Sequence, residues 1–250
     1  MMRVRTARPA LPVATERQRM AMPGSRAHVF YPLLVLLLGS WLLMGNGIDQ
    51  VIAARLYALQ GGAWALKDHW ATEYLVHKLG HDLSIVAGLL VLALAIASQW
   101  SSTLSGRRRP LLRLLGSVML SAVLVSLLKK ATGMDCPWDL VDFGGSRAFH
   151  GLLDARPVDA VASGCFPAGH ASAGYGWLAL YFLALEVRPR LRHAALGVGA
   201  GLGLVFGLSQ QLRGAHFMSH DLWTAAICWF VALGLYRFWP PLGAPARTPP

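Results

Sequence analysis

Six apolar stretches long enough to cross a bilayer constrain this chain more than any other feature. They run over residues 28–44, 82–99, 111–128, 171–187, 193–212 and 220–239. A crossing helix needs about 17–25 residues, so several stretches sit near the lower bound. Hydrocarbon offers no water to a backbone N–H or C=O, so each segment must satisfy its own hydrogen bonds. The runs are continuous rather than alternating, which selects helices over barrel strands. The expected fold class is therefore all-α, a polytopic membrane helix bundle with about six transmembrane helices. The composition agrees, with 55% hydrophobic residues, 14% charged residues and a mean hydropathy of +0.46. Residues 48–66 look amphipathic and are expected to lie along the interface.

The net charge of +11 would suggest nucleic acid in a soluble protein. Here the basic residues gather in short loops between apolar runs, and no nucleic-acid motif accompanies them, so no nucleic-acid partner is expected. Residues 1–28 carry six arginines and three prolines and read as a basic cytoplasmic tail rather than a cleaved signal peptide. Residues 29–239 form the transmembrane domain, and residues 240–250 form a Pro-rich tail. With a cytoplasmic N-terminus, 15 of the 23 Lys and Arg residues fall inside and 8 outside. The positive-inside rule then places both termini in the cytoplasm of a multi-pass protein. The 129–170 loop and the stretch around His216 fall on the outer face.

Three polar stretches stand out in a chain poor in charge. Arg213-Gly-Ala-His216-Phe-Met-Ser-His220-Asp221 lies between the last two apolar runs. Ionisable groups at the mouth of a membrane segment are expensive to keep and mark a candidate site. On a helix, Arg213, His216 and His220 would share a side at i, i+3 and i+7. Pro167-Ala168-Gly169-His170 turns the chain into the fourth run. The first amides of a helix there would suit an anion, with His170 beside it as a proton carrier. An ordinary turn and helix cap is the alternative for this tetrapeptide alone. The third stretch runs from Lys129 through Cys136-Pro137.

Together and in this order, the three stretches resemble the type 2 phosphatidic acid phosphatase superfamily. That superfamily also includes bacterial acid phosphatases and vanadium haloperoxidases. Its pattern is K-x6-R-P, then P-S-G-H, then S-R-x5-H-x3-D. The chain offers Lys129-x6-Cys136-Pro137, then Pro167-Ala168-Gly169-His170, then Ser209-Gln210-x5-His216-x3-His220. The resemblance covers roughly residues 80 to 238 and is strongest to the bacterial six-span membrane branch, which removes phosphate from lipids. It implies a catalytic set of His216, His170 and Asp221. His216 would attack phosphorus to form a phosphohistidine. His170 would protonate the leaving oxygen and then help activate water. Asp221 would orient His216. The implied phosphate-binding positions are Lys129, Arg213, Gly169 and Ala168.

Four positions depart from the pattern. Cys136 and Gln210 replace arginines, Ala168 removes a serine hydroxyl, and His220 replaces the aspartate, with Asp221 one place later. Arg213, one helical turn beyond Gln210, is positioned to supply the missing guanidinium. Cys136 and Cys165 share the outer loop, each beside a motif proline, and a disulfide between them would tether the first motif to the second. Two unpaired thiols are the alternative. Cys228 reads as packing.

His216 and His220 have the i, i+4 spacing of a metal pair, but Phe217 stands where a zinc protease has glutamate, so no metal is expected. No cofactor is expected either. His77 and His81 read as interfacial polar residues, with lining the entry to the site as the alternative, and the glycines of residues 197–207 read as helix packing. The expected function is an integral membrane phosphatase acting on a phosphate monoester or diphosphate of a lipid. Its site faces the periplasm from a bacterial inner membrane. A lipid phosphotransferase on the same scaffold, or a non-catalytic protein that binds or transports anionic lipid, stays open. The oligomeric state is not readable.

Overall fold

The computed structural model describes residues 26–154 and 162–239, so most of the expected N-terminal tail, all of the Pro-rich tail and Arg156 lie outside the described residues. Among the described residues the chain is helical and holds no β-strand. The helices are α1 (Arg26–Gly45), α2 (Ile48–Leu59), α3 (Ala71–Ala97), α4 (Arg108–Thr132), α5 (Ser172–Tyr175, Gly176–Leu178 and Ala179–Val187 in succession), α6 (Arg192–Leu212) and α7 (Met218–Phe238). α1, α3, α4, α6 and α7 are each long and apolar enough to cross a membrane. α5 is built of 4, 3 and 9 residues. It rises about 25 Å, short of the ~30 Å hydrocarbon core.

This short rod is the centre of the bundle. Tyr175, Trp177, Leu178, Ala179, Tyr181 and Phe182 of α5 are all buried. Trp177, Ala179, Tyr181 and Phe182 pack with Leu114 of α4 and Ala232, Leu233 and Tyr236 of α7, while Tyr175 and Leu178 pack with Cys228 of α7. α1 and α3 lie outermost, with 11% of their apolar windows buried against 44% in α7. In lipid the apolar faces gain little from hiding, so close packing and interhelical polar contacts hold the rods together. His28 Nε2 of α1 lies 2.9 Å from the Tyr181 hydroxyl. Trp177 Nε1 donates to Ser84 Oγ at 2.9 Å, and Ser84 Oγ donates to the Ala173 carbonyl at 2.8 Å. Arg113 is 1% exposed and bonds both oxygens of Glu186 at 2.6 Å.

Two boundaries differ from the sequence expectation in a way that bears on the site. The second span begins at Ala71, not Asp82, and opens in wide π-type turns over Ala71–Leu79. Glu73, His77, Lys78 and His81 therefore belong to a spanning helix. Their polarity does not end it, and His77, Lys78 and His81 line a cavity. α4 continues to Thr132, so Lys129 stands in its last turn and Gly133, at φ 59°, stops it. α2 covers Ile48–Leu59 of the stretch expected to lie along the interface. Its Ala53 packs with Leu140, Phe143 and Phe217, so the loop is held as part of the fold.

Candidate active site

The N-terminal end of α3, the C-terminal ends of α4 and α6, and the N-terminal ends of α5 and α7 meet at one end of the bundle. They enclose a cavity of about 690 Å³. The arginines at 107–109, 188–192 and 237 belong to the opposite helix ends.

His170 enters the cavity just ahead of α5, whose brevity leaves room above its first turn. Its ring centroid lies 4.2 Å from that of His77 and 6.0 Å from that of His81, and its Nε2 has no partner. Burial, with the neighbouring His77 next, lowers its pKa to about 4. The ring is therefore neutral near pH 7. A Cβ on Gly169 beside it would lie 3.0 Å from Lys129 Cδ and 3.3 Å from Nζ, so the lysine would have to give by a few tenths of an ångström. The glycine lets the lysine lie against the main chain at the mouth of α5.

The stretch from Arg213 to His220 is not one helix. α6 stops at Leu212, Gly214 turns the chain at φ 75°, and α7 starts at Met218. A Cβ on Gly214 would overlap the Trp64 ring, so the turn is closed on both grounds. Trp138 N donates to the Gly214 carbonyl at 2.9 Å and ties the Cys136-Pro137 loop to this turn. Arg213 and His216 line the cavity, whereas His220 is wholly buried behind His216. His216 Nδ1 lies 2.7 Å from the Cys165 carbonyl oxygen and 3.4 Å from His220 Nδ1. Burial, with His220 next in weight, holds the His216 pKa well below 6.5. Arg213 Nε donates to the Lys67 carbonyl at 2.7 Å, and its Nη2 forms an ion pair with Glu73.

The structure therefore brings His216, His170, Lys129, Arg213 and Gly169 around one cavity, together with Cys136 and Cys165, which are joined by a disulfide. It does not bring Asp221 or Ala168 there. Asp221 accepts a hydrogen bond from Gln211 and lies against Gly207, with Oδ1 unpartnered. One residue along a helix rotates a side chain by about 100°, so Asp221 cannot share the direction of His220. The expected orienting contact with His216 is thus made by other groups. Ala168 is fully buried, and its amide is engaged at 3.3 Å with the His220 carbonyl instead of facing the cavity.

Sequence reasoning underweighted α3. Glu73, His77 and His81 recur at i, i+4 and i+8, a spacing that aligns them on one face and was available in the sequence. Gln210 also lines the cavity, with Nε2 unpartnered, so it remains a neutral donor where the family pattern has arginine.

The PAP2 superfamily model matches residues 110–243, more than half of the chain and the part that carries Lys129, His170, Arg213 and His216. No curated protein and no solved structure matches it.

Proposed function

The chain belongs to the PAP2 superfamily, whose members are generally phosphoesterases, and on that footing we propose that it is a membrane phosphatase for lipid phosphates. The reaction is hydrolysis of a phosphate monoester or diphosphate of a lipid through a phosphohistidine on His216. The site faces the periplasm from a bacterial inner membrane, with both termini cytoplasmic. The observation that carries the reading is the convergence of His216, His170, Lys129, Arg213 and Gly169 on one cavity at the helix ends. That depth is where a lipid headgroup lies.

In this reading Lys129, Arg213, Gln210 and the Gly169 amide hold the phosphoryl oxygens. The phosphate displaces Glu73 from part of the Arg213 guanidinium. The His216 Nε2 lone pair attacks phosphorus, the P–O bond to the lipid breaks, and a proton passes from His170 to the leaving oxygen. Water then attacks phosphorus, its proton goes to His170, and the P–N bond to His216 breaks. The low His170 pKa does not oppose this role. A bound phosphate within ~4–6 Å favours imidazolium and raises the pKa when the acid is needed. The cationic groups do the work of charge neutralisation, so the activity is expected to survive chelation.

The test is phosphate release by the purified, detergent-solubilised protein with and without a chelator. Phosphatidic acid, phosphatidylglycerol phosphate and an isoprenoid diphosphate serve as substrates. Release from at least one that is abolished in His216→Ala and His170→Ala supports the reading. Release that persists in His216→Ala, or no release from any substrate, refutes it.

A further inference from the structure

The attacking histidine needs a partner that fixes its tautomer, and its surroundings identify one. A carbonyl oxygen only accepts, so the 2.7 Å contact between His216 Nδ1 and the Cys165 carbonyl requires a proton on Nδ1. A neutral imidazole carries one such proton, and the lone pair is then on Nε2. His220 does not do this work. Its Nδ1 is 3.4 Å away, its ring lies edge-on to Phe166 and Phe217, and its Nε2 has no partner. A neutral histidine enclosed in this way brings no negative charge to the pair. Asp221 is turned to Gln211.

The acceptor is therefore a main-chain carbonyl on a loop, and its position is only as good as the loop's. Cys165 follows Gly164, which takes φ 66°, and its amide donates to the Met134 carbonyl at 2.8 Å. Its side chain is bonded to Cys136, 29 residues earlier. Cys136 is itself held where the loop leaves α4, its amide 3.2 Å from Asp139 Oδ2. One covalent link thus joins the wall beside Lys129 to the carbonyl that orients His216. Both half-cystines also line the cavity, Cys136 at 4% exposure and Cys165 at 5%.

We propose that the Cys136–Cys165 disulfide is a positioning element for catalysis, locking the Cys165 carbonyl so that His216 stays in its Nδ1–H tautomer with Nε2 ready to attack. This rests on the phosphatase reading. Reduction by a dithiol transfers two electrons and two protons to the sulfurs, gives two thiols, and oxidises the dithiol to its own disulfide. The loop then relaxes, the carbonyl moves, and His216 samples the unproductive tautomer.

The experiment compares wild type with the Cys136→Ala/Cys165→Ala double variant, using a soluble phosphate ester as substrate. Misplacement by about 1 Å costs on the order of 100-fold, so kcat is expected to fall roughly 10- to 100-fold. KM should change little, because Lys129, Arg213 and Gly169 are untouched. In parallel, histidine-selective ¹⁵N NMR of the unliganded protein, assigned by the resonances lost in His216→Gln, reads the tautomer. Wild type should show Nδ1–H alone, and the double variant a mixture. If the double variant does not fold, wild type is reduced in the folded state and reoxidised, and the same two readouts should fall and recover. An unchanged kcat in folded, fully reduced protein overturns the proposal, as does an unchanged His216 tautomer. A wild type that releases no phosphate refutes the phosphatase reading, while the tautomer measurement still decides this one.

Discussion

Substituting Gly199 by alanine tests the packing on which the cavity depends. A Cβ on Gly199 would lie 2.5 Å from Leu178 N and 2.6 Å from the carbonyl carbon and oxygen of Trp177. These are backbone atoms of α5 and cannot rotate aside. Ordinary contact begins at 3.4 Å, so α6 must retreat from α5 by close to 1 Å. Overpacking of this kind costs about 1–3 kcal/mol. Gly201 is the control, because a Cβ there meets nothing within 4 Å, and alanine instead gains up to ~1 kcal/mol of helix propensity. The two substitutions, two residues apart and chemically identical, should differ by about 2–4 kcal/mol. Thermal unfolding in detergent should separate them by at least about 4 °C, at ~2–4 °C per kcal/mol. Activity should follow, since α6 leads to Arg213 and His216 while α5 follows His170. A 1 Å separation of these halves is expected to lower kcat on the order of 100-fold in Gly199→Ala only. Equal melting temperatures and equal kcat in the two variants would falsify the tight α5–α6 contact.

Other perturbations read the site itself. The His170 pKa is lowered from 6.5 to about 4, so its contribution to stability is complete above pH 6.5 and is lost as pH falls towards 4. The loss is at most ~3 kcal/mol at 1.36 kcal/mol per unit, and acid unfolding curves of His170→Asn should lack it. Glu73→Gln removes the carboxylate paired with Arg213, so inhibition by inorganic phosphate should tighten roughly tenfold, about 1.4 kcal/mol. Looser inhibition would mean that Glu73 holds Arg213 in place rather than competing for it. Asp49 Oδ1 accepts from Ser219 N at 3.0 Å, in the first turn of α7. Asp49→Ala should cost ~1–2 kcal/mol in thermal unfolding and Asp49→Asn less, because asparagine keeps the acceptor.

The sequence by itself determined that this chain crosses a membrane as helices, because backbone satisfaction in hydrocarbon is a local demand that each segment meets alone. It also determined the order of the polar stretches, and the resemblance they carry is upheld by the family match. The glycine stripe of α6 was readable as packing, but only the structure separates Gly199 and Gly203, which meet α5, from Gly197 and Gly201, which face open space.

What the sequence could not decide was direction. Asp221 and His220 are neighbours in the chain, yet one turns to Gln211 and the other lies behind His216, because helix azimuth is set by which rods pack together. His77 and His81 read in the sequence as interfacial residues ahead of a helix. They belong to the helix, because a cavity that needs five helix ends to exist gives polar side chains a place to point. The acceptor for His216 is a main-chain carbonyl, which every residue possesses and no residue letter distinguishes. Only tertiary structure selects Cys165 for it, by closing a loop of 29 residues in sequence onto the end of α4.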